Sequence, residues 1–218
     1  MVNKIGVASG IAMSRMTMSG DVEHFGNQDF KNPRPTFNGE FTITNQFSNS
    51  FALRHSIGFF QKGGDTDDVQ STDAQGELTE GKPDRFLANF FNYSPTLVFI
   101  SYSEGVSPFF AFGPRIAYYT SGVYETYDSF NDVYNRSVIN NYSSNNFAFG
   151  VDLSAGMIWE FEKGDLAVEG QFRPGIIPFA SVVGFSFDEF GETSRKEAQL
   201  KSHSFGINLR WSWAPLKK

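Results

Sequence analysis

Residues 201–213, Lys-Ser-His-Ser-Phe-Gly-Ile-Asn-Leu-Arg-Trp-Ser-Trp, alternate strictly between two kinds of side chain. Phe205, Ile207, Leu209, Trp211 and Trp213 share one parity; Ser202, Ser204, Gly206, Asn208, Arg210 and Ser212 share the other. Period-two alternation over this length predicts a β-strand. In a soluble sheet the apolar parity is covered and the polar one is hydrated. Here the polar parity is mostly small residues with few charges, which makes a poor hydrated surface. The apolar parity carries more rings than a small barrel can enclose. The strand therefore predicts an inside-out sheet, with small and ionic groups enclosed and apolar groups facing lipid.

The same pattern recurs along the chain. In residues 4–16, Ile5, Val7, Ile11 and Met13 oppose Gly6, Ala8, Gly10, Ala12 and Ser14. Phe37, Phe41, Ile43 and Phe47 oppose Asn38, Glu40, Thr42 and Thr44, and Phe51, Leu53, Ile57 and Phe59 oppose Ala52, Arg54, Ser56 and Gly58. Phe110, Phe112, Ile116 and Tyr118 oppose Ala111, Gly113, Arg115 and Ala117. Residues 147–161 and 166–173 continue the alternation. The stretch 88–102 is the least clean, because Val98 and Ile100 fall on the enclosed parity. Together these stretches predict eight strands.

Connection lengths then set the topology. Gln46–Ser50, Ser103–Ser107 and Glu162–Asp165 are short, whereas residues 17–36, 63–86, 120–146 and 174–200 are long. Short and long alternate throughout, as in outer-membrane barrels with periplasmic turns and extracellular loops. The expected fold is all-β: an eight-stranded antiparallel up-and-down transmembrane β-barrel with four long extracellular loops and three short periplasmic turns. Residues 1–218 are read as one such domain, with both termini periplasmic. Phe47, Phe51, Trp159, Phe161, Trp211 and Trp213 would form an aromatic girdle at the periplasmic rim. Met1 to Ser14 begins with one lysine and small apolar residues, but its alternation marks it as the first strand. The expectation is that an export signal has already been removed.

Composition narrows the functional classes. The 218 residues include 25 Phe, 8 Tyr and 3 Trp, and no stretch approaches the length of a membrane helix. There are no cysteines, so disulfides and thiolate metal sites are excluded. A net charge of −6 argues against nucleic acid as a partner.

Two stretches resemble a known family. Tyr93-Ser94-Pro95-Thr96-Leu97, followed by Pro108-Phe109-Phe110-Ala111-Phe112-Gly113-Pro114, is similar to a strand pair of the PorT-like outer-membrane β-barrels. Ile57-Gly58-Phe59-Phe60-Gln61-Lys62-Gly63 resembles the end of that family's third strand. The resemblance spans essentially the whole chain and implies an eight-stranded barrel in a Gram-negative outer membrane. Family barrels commonly end on an aromatic residue, whereas Ala214 to Lys218 follow Trp213 here. The resemblance supplies a location and no catalytic residues.

The enclosed parity carries Glu40, Asp152, Glu160 and Glu169 against Arg54, Arg115, Arg173 and Arg210. Ranked by distance from the strand ends, Glu40, Asp152, Arg115 and Arg173 form an outer layer; Glu160, Glu169, Arg54 and Arg210 form an inner one. An eight-stranded barrel is narrow enough for side chains to fill. A plugged, salt-bridged lumen is therefore expected, with a charge-lined pore for ions or small solutes as the alternative. A lipid-modifying enzyme is a third reading. His24 lies in a loop, and His55 and His203 each adjoin a Ser that points to the opposite face, which defeats a proton relay. No enzyme activity, cofactor or metal is expected. The acidic second loop, Asp65, Asp67, Asp68, Asp73, Glu77, Glu80 and Asp84, lacks EF-hand spacing and reads as a solvated face.

Specificity is expected in the loops. Tyr124, Tyr127, Phe130, Tyr134 and Tyr142 are the candidate recognition residues, since Tyr gives large contact area at low entropic cost. The fourth loop is rich in apolar residues, from Ile176 to Phe190, and reads equally as strand extension or as a contact surface. The expected partners are the lipid bilayer and lipopolysaccharide, with an outer-membrane or cell-surface protein engaged through the long loops. The expected role is a structural, adhesion or accessory component of the outer membrane, such as part of a secretion or assembly complex.

Overall fold

A computed structural model describes residues 2–20, 30, 32–67, 70–72, 78–128, 131–139, 146–176, 180–187 and 193–213. The strands in chain order are β1 (Val2–Gly20), β2 (Arg34–Gln46), β3 (Phe51–Asp65), β4 (Gln70–Thr72), β5 (Leu78–Glu80) and β6 (Arg85–Ile100). They continue as β7 (Val106–Asp128), β8 (Val133–Ile139), β9 (Phe147–Phe161), β10 (Gly164–Pro174), β11 (Ala180–Phe187) and β12 (Thr193–Trp213). Eight of these, β1-β2-β3-β6-β7-β9-β10-β12, pair antiparallel with their chain neighbours, and β12 returns to β1. The sheet is thus a closed eight-stranded barrel, as the alternation predicted. The seam is long, running from Ile5 opposite Trp213 to Gly20 opposite Ala198.

Which parity faces out is decided by exposure. Ile11 is 71% exposed and Phe205 61%, whereas Arg54 is 4% and Glu169 2% exposed. Water would penalise that distribution at every strand; hydrocarbon on the outside and a filled lumen on the inside reverse the sign.

The strands overrun the predicted loop boundaries. β7 continues to Asp128 and makes a hairpin with β8, and β12 begins at Thr193 alongside β11. Much of the third and fourth connections is therefore sheet carried past the barrel wall. For the fourth, this is the strand-extension reading. β4 and β5 form a small separate hairpin in the second connection. The short turns need particular backbone shapes: Gly105 adopts φ +85° between β6 and β7, a region L side chains avoid.

The wall departs from a regular ladder along the β6–β7 pairing, with a register shift between Asn89 and Phe90 and a gap nearer the turn. Between β6 and β7 the register runs from Tyr93 opposite Ile116 directly to Leu97 opposite Phe112. Pro95 and Pro114, which have no N–H to give, sit in that gap. The Ser94 hydroxyl donates to the Pro114 carbonyl at 3.1 Å and restores one bond across it. Gly113 lets the two strands approach, because a Cβ there would collide with the Pro95 carbonyl oxygen. Gly113→Ala should cost about 1–3 kcal/mol through this overpacking. Urea unfolding of the detergent-folded barrel, followed by Trp fluorescence, measures it; a midpoint equal to wild type would show that the strands close without this contact.

Candidate functional site

The lumen is built by inward side chains from every barrel strand. Ionic contacts cross it in two groups, both centred on β10. In the first, Glu169 Oε2 accepts from Arg54 Nη1 at 3.0 Å and from Arg210 Nη2 at 3.1 Å. Arg54 also donates through Nε to Thr96 Oγ1 and through Nη2 to Ser154 Oγ, each at 3.2 Å. One guanidinium thus ties β3 to β6, β9 and β10. In the second group, Arg115 Nη1 donates to Asp152 Oδ1 at 2.8 Å, and Arg173 Nε lies 3.3 Å from the same oxygen. Arg173 Nη2 also pairs with Glu40 on β2. The planar guanidinium, with five donors, suits a site where each charge must meet several acceptors.

The structure brings together Glu40, Arg54, Arg115, Asp152, Glu169, Arg173 and Arg210. It does not bring Glu160 to them. Glu160 is exposed, lining a vestibule at the short-turn mouth with Lys4, Asp165 and Ser212. There Lys4 pairs with Asp165. The expected four-to-four balance therefore fails. The parity of Glu160 is right, but β9 ends one residue later, at Phe161.

A fifth buried cation, Lys62, was not anticipated, because the third strand was expected to end near it. Lys62 is 3% exposed and donates to the Ser202 carbonyl at 3.1 Å. Among the described residues, the buried cations Arg54, Lys62, Arg115, Arg173 and Arg210 outnumber the buried carboxylates Glu40, Asp152 and Glu169. The Phe60 ring meets three of the five: Arg115 lies 5.1 Å, Arg173 5.5 Å and Lys62 5.7 Å from its centroid. The negative face of an aromatic ring attracts such cations, most strongly where water is absent.

Apolar side chains close the lumen on both sides of the charges. Toward the loop end, Met16, Phe30, Phe60, Phe86, Phe90 and Tyr119 pack with Ala88 and Ala117. Phe60 stacks on Phe90 at 5.1 Å, and Phe90 meets Tyr119 edge-on at 5.7 Å. Toward the turn end, Ala52, Val98, Phe109, Ala111 and Ala167 form a second cluster. The enclosed parity is thus richer in aromatics than the sequence reading, which gave it small and ionic groups with Val98 and Ile100 as the apolar exceptions.

Of the rim aromatics, Phe47, Phe51, Phe161 and Trp213 are exposed, and Trp159 and Trp211 half-buried, at the end holding the short turns. Phe161 stacks on Trp211 at 6.0 Å, and Phe51 meets Phe99 edge-on at 5.1 Å.

At the opposite end, Asp84 organises the loops. Its backbone N–H donates to Thr66 Oγ1 at 2.9 Å, and its carbonyl accepts from the Thr66 N–H at 2.9 Å. Its carboxylate accepts from the Tyr124 hydroxyl at 2.8 Å and the Tyr127 N–H at 3.0 Å. The second connection is thereby fixed to the β7–β8 hairpin. Tyr127 packs on Tyr134 at 5.4 Å, and Arg85 lies 4.1 Å over the Tyr134 ring. Tyr127 also donates to Asp132, which pairs with Lys82 at 2.7 Å; these two bonds hold the Asp132 carboxyl below its usual range. Of the candidate recognition residues, Tyr124, Tyr127 and Tyr134 are drawn into these contacts, while Phe130 and Tyr142 lie outside the described residues. His24, Asp68, Asp73 and Glu77 also lie outside them. Among the described residues, no cluster of His or acidic groups has metal-binding geometry. Asp65 is paired with Arg34 at 3.2 Å. His55 contacts the Tyr93 hydroxyl at 2.8 Å on the outer wall.

A family match agrees with this architecture. The family model of the outer membrane protein beta-barrel domain matches residues 3–181. No curated protein matches the chain. Among solved structures, the chain is similar to Ail, the attachment invasion locus protein of Yersinia pestis, solved with the heparin analogue sucrose octasulfate. That likeness has 11% identity, covers 96% of this chain and 99% of that one, and gives a TM-score of 0.39. Neisserial surface protein A is 10% identical over 95% of this chain and 96% of that one, with a TM-score of 0.41. The outer membrane protease OmpT from Escherichia coli is 10% identical over 97% of both chains, with a TM-score of 0.46.

Glu169 is the test of the luminal network. Glu169→Gln leaves two buried guanidiniums facing one another and should lower stability by about 3–5 kcal/mol. Lys82→Met, at the exposed pair with Asp132, should leave the midpoint unchanged. Urea titration of the folded barrels in one detergent compares the two.

Proposed function

From the premise that this chain belongs to the outer membrane protein β-barrel domain family and lies in a Gram-negative outer membrane, we propose that it is a non-conducting platform. Its outer loops engage an outer-membrane or cell-surface protein, making it an adhesion or accessory component of a larger assembly. The observation that carries this reading is the stack in the lumen: a Phe-rich cluster, a bonded ionic network and a second apolar cluster in series. A solute crossing the barrel would have to part buried ion pairs, which costs several kcal/mol each time. The Asp84 contacts supply the second half of the reading, since they hold a Tyr-bearing hairpin in one shape. A preorganised surface loses less entropy on binding.

The PorT-like stretches, Tyr93 to Leu97 and Pro108 to Pro114, support a place near that subgroup. Both termini are read as periplasmic, because they share the barrel end with the short turns. The protein is read as non-catalytic: His55 faces outward onto Tyr93, and His203 lies outward beside Arg15 on the neighbouring strand.

Two measurements test the platform. Planar-bilayer recordings of the purified barrel should show no steady unitary conductance; resolvable channels would favour the narrow-pore reading instead. Replacing residues 126–135 by Asn-Gly, which keeps Glu125 opposite Arg136, should leave the barrel folded and remove whatever protein co-purifies from native membranes in mild detergent. Retention of the same complex by the shortened barrel would refute recognition through this hairpin.

A further inference from the structure

Most of the outer wall changes from apolar to uncharged polar at its loop end: Gln61 follows Phe59, Asn89 precedes Phe91, and Thr120 follows Tyr118. The seam between β1 and β12 is different. Outward residues of β1 run Ile5, Val7, Ser9, Ile11, Met13 and then Arg15. Those of β12, read from the turn end, run Trp213, Trp211, Leu209, Ile207, Phe205 and then His203 and Lys201. The register sets Met13 opposite Phe205, Arg15 opposite His203, and Thr17 opposite Lys201. On the flanking strand β10, Phe172 lies opposite Phe205, and Pro174 lies opposite His203. Met13, Pro33, Phe172 and Phe205 line a shallow external groove with Arg15 and His203 at its edge.

From Ile5 to Met13 the apolar run covers eight residue steps, about 20 Å along a tilted strand, close to the roughly 25 Å lipid-facing band of such barrels. Arg15 and Lys201 therefore stand where the outer hydrocarbon boundary meets the headgroups. Neither has a carboxylate within ion-pair distance among the described residues. Arg15, one outward position beyond Met13, and Lys201, two beyond Phe205, stand over this apolar floor on adjacent strands and match an amphiphile with an anionic head and acyl chains, oriented chains-down.

We propose that the β1–β12 seam carries a binding site for a phosphorylated glycolipid of the outer leaflet. Arg15 and Lys201 take a phosphate, His203 borders it, and acyl chains lie along Met13, Phe172 and Phe205. The site rests on the outer-membrane location but not on the platform role, because it lies on the wall and not on the loops. Its consequence is local: a lipid fixed there covers the one junction joining the first and last strands.

Native mass spectrometry of the detergent-released full chain tests the site, with bisphosphorylated lipid A, its dephosphorylated form and phosphatidylglycerol as probes. Wild type should retain one bisphosphorylated lipid A and discriminate against both other lipids. Near an anionic headgroup, Arg15→Ser or Lys201→Ser should each weaken retention roughly fivefold, and the double variant about thirtyfold. Lys82→Ser, a cation on the loops, should retain it as wild type does. Folding of each variant is checked by its heat-modifiable gel mobility, and a variant that fails to fold is replaced by Arg15→Gln or Lys201→Gln. Equal retention by wild type and the double variant, or equal retention of the dephosphorylated lipid or of phosphatidylglycerol, would overturn the proposal. Channel recordings and partner capture address the platform separately, so the two readings can fail independently.

Discussion

A backbone crossing hydrocarbon has no water to satisfy its N–H and C=O groups, so the sheet has to close on itself. Everything else in this chain follows from the pairing of β12 with β1. Closure with eight strands gives a small circumference, and a small circumference leaves an interior that side chains must fill. The inward parity accordingly cannot be uniformly large or uniformly charged. Glycine and alanine admit neighbouring strands where arginines and phenylalanines take the space. The cost of burying guanidiniums is offset because Glu169, Asp152 and Glu40 each reach at least one of them, and because Thr96 and Ser154 accept two further donors of Arg54.

Much of this was legible before any coordinates. Strict alternation with the apolar parity too bulky to enclose gave the fold, the strand partners and the inward set of arginines. What parity could not give was how far each strand continues. Glu160 has the correct parity but stands at a strand end, where the wall stops enclosing anything. Lys62 has it too, and it is enclosed because β3 runs on to Asp65, past the point where the alternation fades. Above the membrane, alternation loses its meaning when both faces meet water or loops. The extents of β7, β8, β11 and the start of β12 were hidden for that reason.

The aromatic plug was the larger omission, and the sequence did carry a signal for it. Phe59-Phe60, Phe90-Phe91, Phe109-Phe110 and Tyr118-Tyr119 are adjacent pairs within strands. Successive side chains point to opposite faces, so each doublet must send one ring into lipid and one into the lumen. The structure does so: Phe59, Phe91, Phe110 and Tyr118 are exposed, while Phe60, Phe90, Phe109 and Tyr119 are buried. Three of the doublets meet across β3, β6 and β7, where Phe60 pairs with Phe90 and Phe90 with Tyr119. A run of aromatics that looked like an uninterrupted greasy wall is a wall and a plug at once.

That plug connects the wall to the loops. Tyr119 and Phe86 belong to it, and their strands continue upward into Tyr124 and away from Asp84, which lies just before β6. Phe30 packs against both Phe86, at 5.7 Å, and Tyr124, at 6.1 Å. The first connection, the second connection and the β7–β8 hairpin therefore share one buried cluster at the barrel mouth. Long connections in compact proteins are ordinarily the least stable elements, because they bury little and expose their backbone bonds. The described residues Phe30, Asp84 and Tyr124 run against that tendency by packing or bonding at the mouth. The packed rings fill the described part of the mouth and, through Phe30 and Tyr124, tie the connections to the wall beneath them.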